Sequence, residues 1–290
     1  MSGDADLASG KGHRDENFPV ASRLIAPRHR AVVLAFYRVA RTADDIADHR
    51  AAAPAEKLAR LAALESSLTG ADDAIGEAVA LRLALAERGL TERHMLDLLE
   101  AFRRDVVKSR TADWAELMDY CRYSAAPVGR FVLDVHGETD ALWPASDALC
   151  AALQVINHLQ DCGKDYRDLD RIYIPLDLLD GAGVAVEALG DQKASDALRG
   201  VFSQLADRTG VLLDAAGPLA GAVRDRRLAV EIGVIARLAV SLNGRLARHD
   251  PLSERVHHRK SEALILALLG AADVIGARLG LGTSAKLGHR

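Results

Sequence analysis

The sequence predicts an all-α protein, and three observations support that fold class. Ala and Leu are abundant and runs of Val, Ile or Thr are few, and helices accommodate Ala and Leu at lower cost than β-branched residues. From Asp15 onward, apolar residues recur at spacings of three and four, the period of an α-helix. No long segment alternates polar and apolar residues, and Ile172-Tyr173-Ile174 is the one short β-like run.

The chain organisation predicts one domain. The 290 residues are enough for a large hydrophobic core, and no linker-like stretch divides them. Residues 1–14 are polar and Gly-rich and are expected to be disordered. We therefore expect one helical domain over residues 15–280, followed by a flexible tail at 281–290.

Turn and capping residues divide the helical pattern. Pro54 suits the first position of a helix. Thr91 is a candidate cap for a helix that runs to about residue 108, and Asp113 is a candidate cap for one that begins at Trp114. The other predicted helices cover residues 28–50, a segment opened by Pro144 and Ser146, and residues 193–216, 219–248 and 254–279.

Composition excludes several function classes. The net charge is −4 and no long run of Lys and Arg occurs, so no nucleic acid is expected as a partner. Three cysteines, without an apolar export segment near the start, predict reduced thiols in the cytoplasm. The uncharged apolar run at 263–272 is far shorter than the ~20 residues that span a bilayer. A core helix is the favoured interpretation of residues 264–281, and peripheral contact with the inner face of the cell membrane is the alternative.

The first candidate site is an aspartate pair. Residues four apart on a helix differ in direction by about 40° and lie about 6 Å apart, so Asp44 and Asp48 project from one face. Arg41 lies one turn earlier, whereas Asp45 points about 100° away and is a weaker candidate. Two carboxylates at this spacing repel each other unless a cation binds both. Mg²⁺ suits such a pair, because it takes one or two carboxylates and fills its other positions with water or phosphate oxygens.

The second candidate site has the same spacing at Asp161 and Asp165. Asn157 lies one turn before Asp161, and Gln154 lies one further turn back. These four residues form a polar stripe on an otherwise apolar helix. An Asp-x-x-x-Asp pair is also common on solvated helix faces, but the apolar sequence around both pairs favours a lined cavity that binds metal.

Four stretches of the chain resemble the squalene/phytoene synthase family over roughly residues 15 to 270. They are Tyr37-x-x-x-Arg41-x-x-Asp44-x-x-x-Asp48, the run Tyr-Cys-Arg-Tyr-Ser-Ala-Ala-Pro-Val-Gly at 120–129, Gln154-x-x-Asn157-x-x-x-Asp161-x-x-x-Asp165, and Arg171-Ile172-Tyr173-Ile174-Pro175. The resemblance implies a single-domain isoprenoid synthase fold with a central apolar cavity. It also implies that the two Asp pairs face each other across the cavity mouth and hold Mg²⁺ ions that bind a prenyl diphosphate. Metal ions offset the charge that develops as the C–O bond breaks, and an apolar cavity keeps water from a carbocation.

The same resemblance assigns the remaining site residues. Substrate contacts are expected from Phe18, Tyr37, Arg41, Gln154, Arg171, Tyr173 and Arg255, and catalytic roles from Tyr120, Asn157 and Gln160. Ordinary core packing is the alternative for Phe18, Tyr37 and Tyr120, and Arg171 with Tyr173 could instead brace a loop. Pro127 and Gly129 are expected to break a helix beside the cavity.

Within the family, the local sequences at 15–22, 124–130 and 157–161 resemble those of one branch. The enzymes of that branch convert presqualene diphosphate to hydroxysqualene in bacterial hopanoid biosynthesis. Other enzymes of squalene and hopanoid synthesis are then the implied partners. Other branches place Arg immediately before the second pair and an acidic residue before its last Asp, where this chain has Gln160 and Lys164. A neutral amide at 160 could hold a water molecule. Two alternatives remain: a head-to-head prenyl transferase that makes presqualene diphosphate or phytoene, and a non-catalytic helical assembly factor.

Overall fold

Helices make up most of the protein in a computed structural model, which describes residues 25–279. No strand occurs within that range, and the β-like run contributes one isolated parallel bridge between Arg110 and Ile172. The predictions for 1–14 and 281–290, and Phe18, lie outside the described residues. The helices are α1 Pro27–Ala47, α2 Pro54–Thr69, α3 Gly76–Ala86, α4 Arg93–Val107, α5 Trp114–Ser124, α6 Ala126–Val135, α7 Trp143–Leu169, α8 Leu176–Gly181, α9 Asp196–Ala216, α10 Leu219–Ala222, α11 Arg226–Leu246 and α12 Lys260–Arg278.

Several helix starts confirm the sequence signals. Pro54 is the first residue of α2, and α7 begins at Trp143 with Pro144 in its first turn. Asp113 caps α5, because its Oδ1 accepts a hydrogen bond from the Glu116 amide at 2.8 Å. Proline presets the backbone angle of the first helical residue, and a capping carboxylate accepts a hydrogen bond from a free amide of the first turn. Both effects are local, so the sequence alone predicts these helix starts.

Three boundaries correct the sequence predictions. Thr91 does not cap α4, which begins at Arg93 with Glu92 before it. The predicted helix over 219–248 is two helices, since Asp225 accepts hydrogen bonds from the amides of Arg227 and Leu228 and thereby starts α11. The predicted helix over 254–279 starts only at Lys260, where the Glu262 side chain accepts from the amide of residue 259.

The break between α5 and α6 lies at Ala125, and Pro127 sits in the first turn of α6 as expected of a helix starter. Gly129 does not break the helix, which corrects its predicted role. A Cβ atom at Gly129 would lie 2.6 Å from Cys150 Sγ. Glycine is therefore needed here because α6 and α7 pack closely.

Two hydrophobic cores meet between these helices. One core gathers apolar residues of α1–α4 and α6, including the stacked rings of Phe36 and Phe131 with centroids 3.9 Å apart. The other gathers residues of α5 and α7–α12, and Val132 on α6 packs against both. Helices α4, α5, α6 and α7 pack on one another where the cores meet, and this seam positions the site described below.

Helix α12 is half exposed, which corrects the favoured interpretation of it as a core helix. It crosses α11 closely, since a Cβ at Gly270 would lie 2.6 Å from the Gly233 carbonyl oxygen. Its opposite face exposes large apolar side chains, namely Leu264, Ile265, Leu268, Leu269 and Ile275. No helix of the described range is long and apolar enough to cross a membrane.

All three cysteines are free thiols, as the sequence predicts. Cys121 and Cys162 are buried and Cys150 is partly buried. Burial raises the pKa of each of them to about 12. They therefore pack as small apolar groups.

Candidate active site

The seam between the two cores contains a cavity of about 270 Å³. Most of the side chains around it are polar. Its lining consists of Asp44, Asp48, Ala101, Phe102, Asp105, Tyr120, Ser124, Gln154, Asn157, His158, Asp161, Asp165, Leu169, Arg171 and Tyr173. Both predicted aspartate pairs therefore border one cavity, one pair from α1 and the other from α7.

The cavity is more polar than the sequence predicts. Ala101, Phe102 and Leu169 are the apolar members of its described lining.

The aspartates of α1 lie where the helix ends. The last residue of α1 is Ala47, and the amide of Asp48 still donates to the Asp44 carbonyl oxygen at 2.9 Å. This bond keeps the two carboxylates one turn apart. Arg41 donates to Asp44 Oδ2 at 2.7 Å and to Asp45 Oδ1 at 2.6 Å. Asp45 therefore faces Arg41, and it is absent from the cavity lining.

The polar stripe on α7 is present as predicted. Gln154, Asn157, Asp161 and Asp165 all line the cavity. Burial, and then repulsion by Asp161, raise the pKa of Asp165 to about 7, although Arg171 acts in the opposite direction. Two carboxylates one helical turn apart in a partly buried position favour a bound cation.

The donor set fits magnesium. Within residues 25–279, no group of three or more carboxylate, imidazole or thiolate side chains converges to form a complete metal site. Mg²⁺ does not need one, because it binds through one or two carboxylates and takes its other ligands from water and substrate phosphates. Paired carboxylate oxygens on two facing helices are the hard donors that it prefers.

Arg171 joins three parts of the site. It donates from Nη1 to Asp48 Oδ1 at 2.8 Å and from Nη2 to the Asp105 carbonyl oxygen at 3.3 Å. Its backbone amide donates to the Asp165 carbonyl oxygen at 3.1 Å. Although burial opposes its charge, Tyr173, Asp105 and Asp48 raise the pKa of Arg171 above its ordinary value. Arg171 is therefore a fixed cation between the ends of α1, α4 and α7.

Asp105 is a site residue that the sequence patterns did not identify. Its carboxylate is 8% exposed and accepts from the hydroxyl of Tyr120 at 2.7 Å and from that of Tyr173 at 2.9 Å. Both tyrosines were predicted from the resemblance, but their shared acceptor was not. In the sequence, Asp105 follows Arg103 and Arg104 at the end of a helix, and such a charged run is typical of a solvated surface.

His158 is the second residue missed. It lies four residues after Gln154, which is the spacing found along the polar stripe. This spacing could have indicated that His158 faces the same cavity. Its Nε2 lies 3.1 Å from Gln154 Nε2, and its ring stacks on Tyr173 with centroids 3.6 Å apart. Burial, and then Arg171, lower the pKa of His158 to about 3, so the ring is neutral.

Four predicted residues lie outside the cavity lining. Tyr37 is partly buried on α1, and Arg41 contacts the aspartates as described. Gln160 points about 100° away from Asp161, and its amide donates to the Val256 carbonyl oxygen. This placement corrects the prediction that Gln160 holds a water molecule at the site. Arg255 is exposed in the segment that Gln160 anchors.

Removal of the Arg171 charge tests its role in this arrangement. Arg171→Met leaves Asp48 without its ion pair and the buried Asp105 carboxylate without a nearby cation, so we expect the free energy of unfolding to fall by about 3–5 kcal/mol. Denaturant titration measures this change. The control is Arg110→Met, which removes an exposed pair with Asp170 and should cost at most about 1 kcal/mol. Equal losses in the two variants would contradict the junction role of Arg171.

Comparison with known proteins agrees with this geometry. The family model for squalene/phytoene synthase matches residues 12–262. The chain is 54% identical over 284 residues to a hydroxysqualene synthase of Rhodopseudomonas palustris, covering 97% of each chain. It is 56% identical over 270 residues to a hydroxysqualene synthase of Zymomonas mobilis, covering 92% of this chain and 91% of that one. Among solved structures, a squalene synthase from Alicyclobacillus acidocaldarius matches with a TM-score of 0.70 and 32% identity, over 79% of this chain and 87% of that one. The chain belongs to the squalene/phytoene synthase family.

Proposed function

We propose that the protein converts presqualene diphosphate to hydroxysqualene and diphosphate by ionisation, rearrangement of the cation and capture of water. The observation that carries this proposal is the identity of more than half, over nearly the whole chain, to two hydroxysqualene synthases. The cavity supports it, because two aspartate pairs and a buried arginine surround one space. An enzyme that makes presqualene diphosphate would supply the substrate, and the reaction belongs in the cytoplasm or at the inner face of the cell membrane.

The aspartates would hold the divalent metal. Asp44 and Asp48 on one side, and Asp161 and Asp165 on the other, would bind Mg²⁺, which neutralises the leaving diphosphate when bound. Arg171 adds a cation that Asp48 and the surrounding backbone hold in place. A fixed charge of this kind stabilises the departing oxyanion without reorganisation.

The amides and tyrosines would act on the organic part of the substrate. Gln154 and Asn157 lie on the stripe that leads away from the carboxylates, so they can orient a water molecule beyond the diphosphate. Tyr120 and Tyr173 present hydroxyl groups whose protons are directed to Asp105. The phenol oxygens are thereby available as acceptors on the cavity side.

Substrate choice tests the proposal. Purified protein with Mg²⁺, and without a nicotinamide cofactor, should convert presqualene diphosphate to equal amounts of hydroxysqualene and diphosphate. Asp48→Ala and Asp161→Ala should each lower the rate about 100-fold or more. The thermal midpoint of Asp161→Ala should stay close to that of the parent, whereas Asp48→Ala also removes the ion-pair partner of Arg171 and should lower it. The control Asp207→Ala, an exposed carboxylate on α9, should leave the rate unchanged.

Three results would contradict the proposal in different ways. Turnover of farnesyl diphosphate alone would indicate a head-to-head prenyl transferase. Inactivity on both substrates would indicate a non-catalytic helical protein. Near-normal rates in Asp48→Ala or Asp161→Ala would show that the two aspartate pairs do not form the metal site.

We also propose that the exposed face of α12 rests on a membrane surface. Leu264, Ile265 and Leu268 are 62%, 58% and 63% exposed, although they lie on one face of the helix. The carboxylates at the edge of this face are paired, Glu262 with Arg245 at 3.1 Å and Asp273 with Arg237 at 3.7 Å. An apolar face without an unpaired acid suits the interface of a bilayer, into which a C30 product would partition.

Sedimentation with vesicles of phosphatidylcholine and phosphatidylglycerol tests this contact. Leu264→Gln with Leu268→Gln should reduce the bound fraction at least about tenfold, since a buried leucine contributes ~1.5–3 kcal/mol. Val211→Gln is the control, because Val211 is 69% exposed on α9. Unchanged binding in the α12 variant, or a change of oligomeric state in place of vesicle binding, would contradict the proposal.

A further inference from the structure

We infer that Asp105 receives, through Tyr120, the proton that water releases when it is captured, and that Asp105 passes this proton out through a second cavity. The inference rests on the proposed function, because water capture is the step that produces a proton. It assigns a role to a buried carboxylate that the metal site does not use.

The hydrogen bonds form a chain that leads away from the substrate cavity. Tyr120 donates to Asp105 Oδ2 at 2.7 Å, and Tyr173 donates to Oδ1 at 2.9 Å. The two phenol oxygens are 3.2 Å apart. Each phenol thus has its proton on the Asp105 side and can accept another from the cavity.

Asp105 lies in the wall between two cavities. It borders the substrate cavity and also a second cavity of about 450 Å³, whose lining includes Lys57, Ser109, Arg167 and Asp168. Asp48, Leu169 and Arg171 belong to both linings and complete the wall. A proton accepted on one side can therefore leave on the other without crossing the space that holds the carbocation.

The step balances without a further reactant. A lone pair of water forms the new C–O bond and the resulting oxonium loses one proton to the Tyr120 oxygen. Tyr120 gives its own phenol proton to Asp105, so the tyrosine ends neutral and the carboxylate ends as a carboxylic acid. Loss of that proton to water in the second cavity restores the starting state.

The electrostatics of Asp105 support this role. Burial raises the pKa of Asp105 to about 6, while Arg171 and the hydroxyls of Tyr120 and Tyr173 lower it and Asp48 raises it further. A carboxyl with a pKa near neutrality can both take and release a proton. His158 is a poorer acceptor in the same cavity, because burial and Arg171 lower its pKa to about 3.

The ratio of hydroxysqualene formed to diphosphate released tests the inference. This ratio should be near one in the parent protein supplied with Mg²⁺ and presqualene diphosphate. In Asp105→Asn it should fall to about one tenth or less, because general-base assistance contributes ~10²–10⁴-fold and the cation then forms other C30 alcohols or alkenes. A merely structural loss would lower both products together and leave the ratio unchanged.

Tyr120→Phe and a matched control complete the experiment. Tyr120→Phe removes one hydroxyl and should reproduce the low ratio even if Asp105→Asn fails to fold. The double variant should be no worse than either single variant, as expected for two links of one chain. Asp119→Asn removes a carboxylate beside Tyr120 that pairs with Arg104 and Arg122 at the surface, and it should keep the ratio of the parent.

The outcomes separate the two proposals. A parent-like ratio in Tyr120→Phe would overturn the proton route, and so would a parent-like ratio in a folded Asp105→Asn variant. Absence of hydroxysqualene from the parent protein would instead overturn the proposed function.

Discussion

The arrangement of the site depends on one buried cation, Arg171. Its side chain contacts Asp48 at the end of α1 and the backbone of Asp105 near the end of α4, and its amide bonds to the Asp165 carbonyl near the end of α7. These three helix ends carry the acidic side chains of the cavity. Without a cation at this point, carboxylates from different helices would face one another across one partly enclosed cavity, which is costly.

The charges of the cavity are only partly balanced by the protein. Arg171 and Arg41 pair with Asp48 and Asp44 on the α1 side. On the α7 side, burial and the neighbouring Asp161 raise the pKa of Asp165 to about 7. This asymmetry indicates that a divalent ion would relieve the most repulsion on the α7 side, beside Asp161 and Asp165. A metal-bound diphosphate would then lie between a protein cation and the α7 carboxylates.

Sequence reasoning succeeded where structure is local. The helical class followed from spacing, and the helix starts at Pro54 and after the Asp113 cap followed from the chemistry of one or two residues. The predictions were wrong where contacts between distant helices determine the structure. The close approach of α6 to α7 requires a glycine at 129. The exposure of α12 depends on which of its faces packs on α11.

The site shows the same division. Spacing predicted that each aspartate pair would share a face, and the resemblance predicted that the two pairs would share a cavity, which they do. Asp105 could not be found this way, because its partners Tyr120 and Tyr173 are distant in sequence and its neighbours are charged. Gln160 is adjacent to Asp161 in sequence but does not line the cavity, because one step along a helix turns the side chain by about 100°.

A crystal structure with Mg²⁺ and inorganic diphosphate tests the central claim most directly. The account predicts metal ions bound to carboxylate oxygens of both pairs, Asp44 with Asp48 and Asp161 with Asp165, at about 2.0–2.1 Å. Diphosphate should bind at these ions, and Arg171 should keep its contact with Asp48. Metal and diphosphate bound elsewhere, or held by one aspartate pair alone, would contradict the account.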